Sequence, residues 1–191
     1  MEVLEAIKTR RSIRHYTSDP IDEGALAQIL EAGRWAPSWH NLQCWRFIVV
    51  RDRQMMASLA DTLIKINKRP DGTLDNPGAR TFSQVPVLLV ICAERGKSGF
   101  EHDSGPVTDK GDWFMFDTAL AVENMALAAH SLGLGTVIIG AFDAPKAARI
   151  LEVPEGYSIV AMLPLGVPAR EGKVPPRKEL TEIVFNGRFG K

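Results

Sequence analysis

The 191-residue chain has only two cysteines, Cys44 and Cys92, too few for a disulfide framework and without the CxxC spacing of a redox or zinc motif. Net charge is missing too: 23 Lys and Arg balance 23 Asp and Glu, and the pI is near 6.9. Without a global basic field, neither nucleic acid nor an anionic membrane is expected as a partner. Nor is there a long apolar run. The longest, VPVLLVICA at residues 85–93, includes Pro86 and falls far short of the roughly 18 residues that a membrane span needs. The opening MEVLEAIKTRR carries acidic residues where a secretory signal needs a basic start and an apolar stretch. Together these absences predict a soluble cytoplasmic protein. The length, with 45% hydrophobic and 24% charged residues, predicts a single domain over residues 1–191.

Familiar catalytic signatures are lacking as well. Gly96, Lys97 and Ser98 match the end of a phosphate loop, but the glycine required five positions earlier is Ile91. The glycines of GLGTVIIG at residues 133–140 follow a helix and precede a strand, the reverse of a dinucleotide fingerprint. His15, His40, His102 and His130 show no HxxxH or HExxH spacing, and GxSxG does not occur. His102 with Asp103, Asp109 and Asp112 lacks the spacing of a calcium loop and reads as a solvated acidic loop, so no metal site is expected.

What is present is an alternation of helices and about four strands. Periodicity predicts a short helix over the first nine residues and another over 23–34, capped by Asp22. A strand follows at WRFIVVRD, then an amphipathic helix over RQMMASLADTLIKIN with Met55, Leu59 and Leu63 aligned. Residues 69–79 and 95–111 read as loops around the buried strand VPVLLVICAE. The longest helix, 113–132, is apolar around most of its circumference and so calls for cover from a partner subunit. TVIIGAF, APKAARIL, YSIVAMLPLGV and ELTEIVFNG read as strand, helix, strand and a final turn or helix, giving an α+β or α/β core.

Two stretches carry chemistry. In KTRRSIRHY an extended backbone would point Arg10, Ser12 and Arg14 one way and Arg11 and Ile13 the other. Two guanidiniums and a hydroxyl make a cradle for a phosphate, although a solvated basic turn at a helix end explains the same residues. In APSWHNLQCW, Ser38, Asn41 and Gln43 offer hydrogen bonds to the polar edge of a flat heterocycle, and Trp35, Trp39 and Trp45 could wall it. A capped turn anchored by tryptophans is the plainer alternative.

Together with ENMALAAHSLGLGTVIIGAF at 123–142, LPLGVP and PPRKELTEIV, these stretches resemble the flavin-dependent nitroreductase family, in its order and over nearly the whole chain. The resemblance implies an α+β fold with a central mixed, mainly antiparallel sheet flanked by helices, in a homodimer sharing FMN sites at its interface. It implies Arg10, Arg11, Ser12 and Arg14 around the FMN phosphate and ribityl chain, Arg11 the least engaged, with Arg177 as a late phosphate contact. It further implies that Pro37, Ser38 and Asn41 approach the flavin from the other subunit, that Gln43 supports that wall, and that Gly140 and Ala141 face the N5 side of the ring. Cys44 departs from the family's usual proline and reads as a small buried hydrophobe. The implied reaction is ping-pong hydride transfer from NADH or NADPH through FMN to a nitroaromatic or quinone, with no catalytic acid or base. A specialised dehalogenating, dehydrogenating or flavin-consuming relative, or a flavin-holding redox sensor, is the alternative.

Overall fold

The computed structural model describes residues 1–68, 70–76, 78–101 and 105–190. At its centre lies β4 (Val87–Glu94), buried at every position except Glu94. A strand covered on both faces needs apolar side chains throughout rather than at alternate positions, hence its continuous apolar sequence. β1 (Trp45–Val50) and β6 (Tyr157–Gly166) flank it, and β5 (Gly135–Thr136) adds to β6, giving the order β1-β4-β6-β5. Every ladder in this sheet is antiparallel, and a parallel contribution comes from the isolated Ser12–Thr136 bridge.

Helices cover both faces. α2 (Glu23–Arg34) and α5 (Phe114–Ser131) pack Leu26, Ile29, Val122 and Met125 onto Leu89, Ile91 and Leu163. The two helices approach closely at Gly33, where an added Cβ would lie 2.8 Å from the Met125 side chain. On the opposite face α3 (Arg53–Ala60), α4 (Gly78–Gln84) and α6 (Ala144–Ile150) bring Met56, Leu59, Phe82 and Ala147 against Leu88, Val90 and Met162. Asp22, Asp52 and Asp143 cap α2, α3 and α6 by accepting from the backbone N–H three residues on. α1 (Val3–Thr9) leads into the arginines, β2 (Asn67–Lys68) and β3 (Leu74–Asp75) form a small hairpin, and α7 (Leu180–Ile183) lies in the exposed C-terminal tail.

Several elements differ from expectation. α3 stops at Ala60 because the Thr62 hydroxyl donates to the Leu59 carbonyl and the chain then pairs with 141–142, so Met56 rather than Met55 is the buried partner of Leu59. Of TVIIGAF only Thr136 joins β5, and Ile139 makes an isolated bridge to Met162. α4 arises where the sequence shows no clear period. α5 finds much of its cover within its own chain, which buries Thr118, Ala121, Val122, Met125, Ala126 and Ala129 and leaves Met115 and Phe116 more than half exposed. Within 69–79, Arg69 and Pro77 lie outside the described residues, and the rest holds β3 and the start of α4. The 95–111 segment folds back on itself, with a Phe100–Pro106 bridge and a Val107 N–H bond to the Gly99 carbonyl. Of the four residues of the acidic-loop reading, His102 and Asp103 lie outside the described set, Asp109 is exposed, and Asp112 Oδ2 accepts from the Gly96 N–H at 2.6 Å.

Candidate cofactor site

α1 ends at Arg10, and the chain then runs extended, with Ile13 N–H donating to the Thr136 carbonyl at 2.9 Å. Ile13 is buried with Tyr16 and Val85, which fixes the facing of the whole segment. Arg11 folds back on α1: its Nη1 donates to the carbonyls of Lys8 and Arg10 at 2.7 Å each, satisfying carbonyls that the helix end leaves open. Arg10 turns toward α5, where its Nε lies 3.4 Å from Glu123 Oε1 without forming a hydrogen bond. Arg14 is exposed; its guanidinium makes a 3.3 Å contact to the Ser12 carbonyl, and its own carbonyl accepts from the Thr81 hydroxyl at 3.2 Å.

Arg10, Arg11, Ile13 and His130 line a cavity of about 650 Å3, and Ser12 and Arg14 are not among its lining residues. The pairs Arg11 with Ile13 and Ser12 with Arg14 therefore follow the expected alternation. Arg10 does not, because it closes the helix and the two-residue repeat of extended chain begins only after it. His130 Nε2 sits 2.8 Å from the Thr9 hydroxyl, and burial, then Arg10 and Arg11, hold its pKa below the usual histidine range.

The 38–43 turn is strained. His40, Asn41 and Gln43 all have left-handed backbones, with φ of 46°, 56° and 50°. Outside glycine each such residue costs on the order of 1 kcal/mol and persists only where its surroundings over-determine it. Ser38 Oγ accepts from the Gln43 N–H at 2.9 Å, and the Gln43 side chain donates to Asn41 Oδ1 at 3.2 Å, so the three polar residues hold one another. Pro37 is exposed at the entry to the turn. The tryptophans part company: Trp45 is core, Trp35 is 71% exposed, and Trp39 stacks on His40 with Trp113 tilted beside it.

One residue here was not foreseen. Asp117, in the first turn of α5, is only 2% exposed, and its Oδ2 accepts from the Trp39 N–H at 3.1 Å and the Ser98 hydroxyl at 2.6 Å. Its sequence signal was its rarity, since Asp117 and Glu123 are the only acidic residues in α5. Neighbouring Cys44 is 2% exposed, and burial first, then the Asp117 charge, pushes its thiol up to about 11, which fits the inert role expected of it.

Gly140 and Ala141 follow the Ile139–Met162 bridge, and Ala141 accepts from the Ile64 N–H. A Cβ built on Gly140 meets nothing within 4 Å. Arg177 stands in the exposed tail with Nη1 3.4 Å from the carbonyls of Pro175 and Pro176, and it does not line the Arg10 cavity.

A model of the nitroreductase family matches residues 7–167. The chain belongs to the nitroreductase family. It is 31% identical to the FMN reductase [NAD(P)H] of Bacillus subtilis, over 92% of this chain and 70% of that one. Against the 5,6-dimethylbenzimidazole synthase of Rhodospirillum rubrum it is 28% identical, over 90% and 84% of the two chains. The solved FMN-dependent nitroreductase of Clostridium difficile superposes with a TM-score of 0.74 at 26% identity, over 97% and 99% of the chains.

The donor set of this nitroreductase-family chain fits an anionic, planar group. The Nε atoms of Arg10 and Arg11 are buried without hydrogen-bond partners, a costly condition that an anion would relieve. Arg14 presents an exposed guanidinium with one long contact, and Gly140 leaves its backbone open to a flat ring. Among the described residues no group of three or more His, Cys, Asp or Glu is placed to hold a metal, and no helix is long and apolar enough to cross a membrane.

Proposed function

We propose that this protein is an FMN-dependent oxidoreductase that uses NADH or NADPH to reduce nitroaromatic or quinone-type acceptors, the whole chain acting as one cofactor-binding domain. The observation that carries the reading is the buried Arg10 Nε, which makes no hydrogen bond, near an exposed Arg14 on a segment with the family's RRSIR order. When bound, FMN supplies the hydride relay between nicotinamide and acceptor. Ser12 and Arg14 hold its phosphate, Arg10 turns from its place beside Glu123 to join them in neutralising it, and Arg177, on its exposed tail, swings in as a further cation. Ser38, Asn41 and Gln43 bond its polar edge, and Gly140 and Ala141 admit the ring against bare backbone. No residue is needed as a proton donor at the site.

Two copies are proposed to form the working unit. Val3, Leu4 and Ile7 on α1, Met115 and Phe116 on α5, and Val174, Leu180, Ile183 and Val184 on the tail are all exposed, an apolar surface that a second copy would cover. The likeness to a 5,6-dimethylbenzimidazole synthase favours a second reading, a specialised flavoenzyme on the same fold.

The visible spectrum of the purified protein, with mass identification of what heat releases, tests the cofactor. Oxidation of NADH or NADPH with menadione or nitrofurazone tests the reaction. A colourless protein that ignores added FMN, or a flavin-loaded one that oxidises neither nicotinamide, refutes the proposal.

A further inference from the structure

Three segments distant in sequence meet at one buried carboxylate. Asp117 accepts at 3.1 Å from the Trp39 N–H in the 38–43 turn and at 2.6 Å from Ser98, which is fully buried in the 95–113 segment. The Ser98 carbonyl in turn accepts from the Trp113 N–H at 2.9 Å, and the Trp113 carbonyl from the Asp117 N–H at 3.0 Å, closing a ring of bonds at the start of α5. Gly99 is pressed against the same corner: with φ of 82°, an added Cβ would stand 2.7 Å from the Trp113 ring.

No cation is bonded to the Asp117 carboxylate among the described residues, so its burial is compensated only by the two donors it holds. Those donors are specific. Trp39 precedes His40, Asn41 and Gln43, and its N–H bond ties the entry of the strained turn to a side chain of α5, while Arg46 Nη1 holds the exit by donating to the Gln43 carbonyl at 3.0 Å.

We infer that Asp117 is a positioning residue that locks the 38–43 turn in its left-handed form, ready to meet the flavin, and ties that turn to the 95–113 segment. The inference rests on the reading of the turn as a flavin wall. It deepens that reading by moving the control of the wall to a residue that touches neither cofactor nor acceptor. The required property is acceptor geometry at Oδ2, so an amide oxygen in the same place should serve.

The test compares Asp117→Asn, Asp117→Leu and Ser98→Ala, with two readouts. Amide exchange in the cofactor-free protein follows the Trp39 N–H and residues 96–100, and titration with FMN, with the visible circular dichroism of the bound flavin, follows the wall. Asp117→Leu should expose the Trp39 amide and weaken FMN binding about tenfold, because it leaves the buried Ser98 hydroxyl and the half-buried Trp39 N–H unpaired. Ser98→Ala, a milder change that keeps the Trp39 bond, should loosen 96–100 and shift FMN binding in the same direction by less. Asp117→Asn should restore the Trp39 protection and the flavin circular dichroism. Lower stability in Asp117→Leu with Trp39 protection and FMN affinity unchanged would mark a merely structural residue and overturn the inference. Asp117→Asn behaving like Asp117→Leu would overturn the geometric account. Wild-type protein without affinity for FMN would overturn the flavin role together with the proposed function, whereas an intact Trp39 amide in Asp117→Leu would overturn the anchor alone.

Discussion

Replacing Arg10, Arg11 and Arg14 by alanine, one at a time, separates binding of an anion from maintenance of a helix end. The Arg10 guanidinium has a buried Nε without a hydrogen bond and a 3.4 Å ion pair with Glu123, and the Arg14 guanidinium makes one long contact, so both side chains are more weakly committed to the fold than that of Arg11. Each should lose a charge-assisted bond to the FMN phosphate worth about 1.5–3 kcal/mol, which raises the dissociation constant roughly 10- to 150-fold. Arg11 instead spends its Nη1 on the carbonyls of Lys8 and Arg10. Arg11→Ala should therefore cost about 1 kcal/mol of stability, or roughly 2–4 °C in Tm for a chain of this size, with a much smaller change in FMN affinity. Fluorescence titration of the cofactor-free protein gives the affinities, and thermal unfolding of the same samples gives Tm. Equal losses of affinity at all three positions, with no Tm change in Arg11→Ala, would refute the assignment of Arg11 to the helix and of Arg14 to the ligand.

Gly140→Val should leave Tm nearly unchanged, since the new side chain meets open space, yet lower FMN affinity or distort its spectrum; an unaltered holoprotein would show that the ring lies elsewhere. Burial pushes the Cys44 and Cys92 thiols up to about 11, so the native protein should resist a thiol-specific dye at neutral pH and react at both sites only after unfolding. Hydrogen bonds from Arg34, then from Trp35, pull Glu31 from 4.5 down to about 2. Because the folded value is the lower one, any stability from this carboxylate is present above about pH 4.5 and fades as the pH falls toward 2. Tm curves of wild type and Glu31→Gln should thus converge in acid, and an NMR titration of Glu31 with its midpoint near 4.5 would contradict the shift.

Local features were the legible part of this chain. The Asp22 cap, the apolar β4 and the arginine segment depend on neighbours a few residues away, so spacing alone reveals them. TVIIGAF looks like a strand by composition, but only its first residue, Thr136, has a ladder partner across β6, and pairing rather than propensity decides a strand's length. α4 escaped notice because its inward side chains are just Thr81 and Phe82, too few to show a helical period. The role of Asp117 was hidden for a different reason: its partners lie 19 and 78 positions away, and an acid's rarity in an apolar helix marks the residue without naming them.

The left-handed trio at 40, 41 and 43 also bears on how this protein can be improved. Glycine tolerates those dihedrals freely, so His40→Gly or Asn41→Gly would relieve the backbone while surrendering side chains that stack or bond within the turn. Selection for heat resistance alone would reward such changes, and selection for turnover would reject them at position 41. A library screened for one property should accordingly drift away from the other at this turn, and a screen that demands both should keep asparagine at 41.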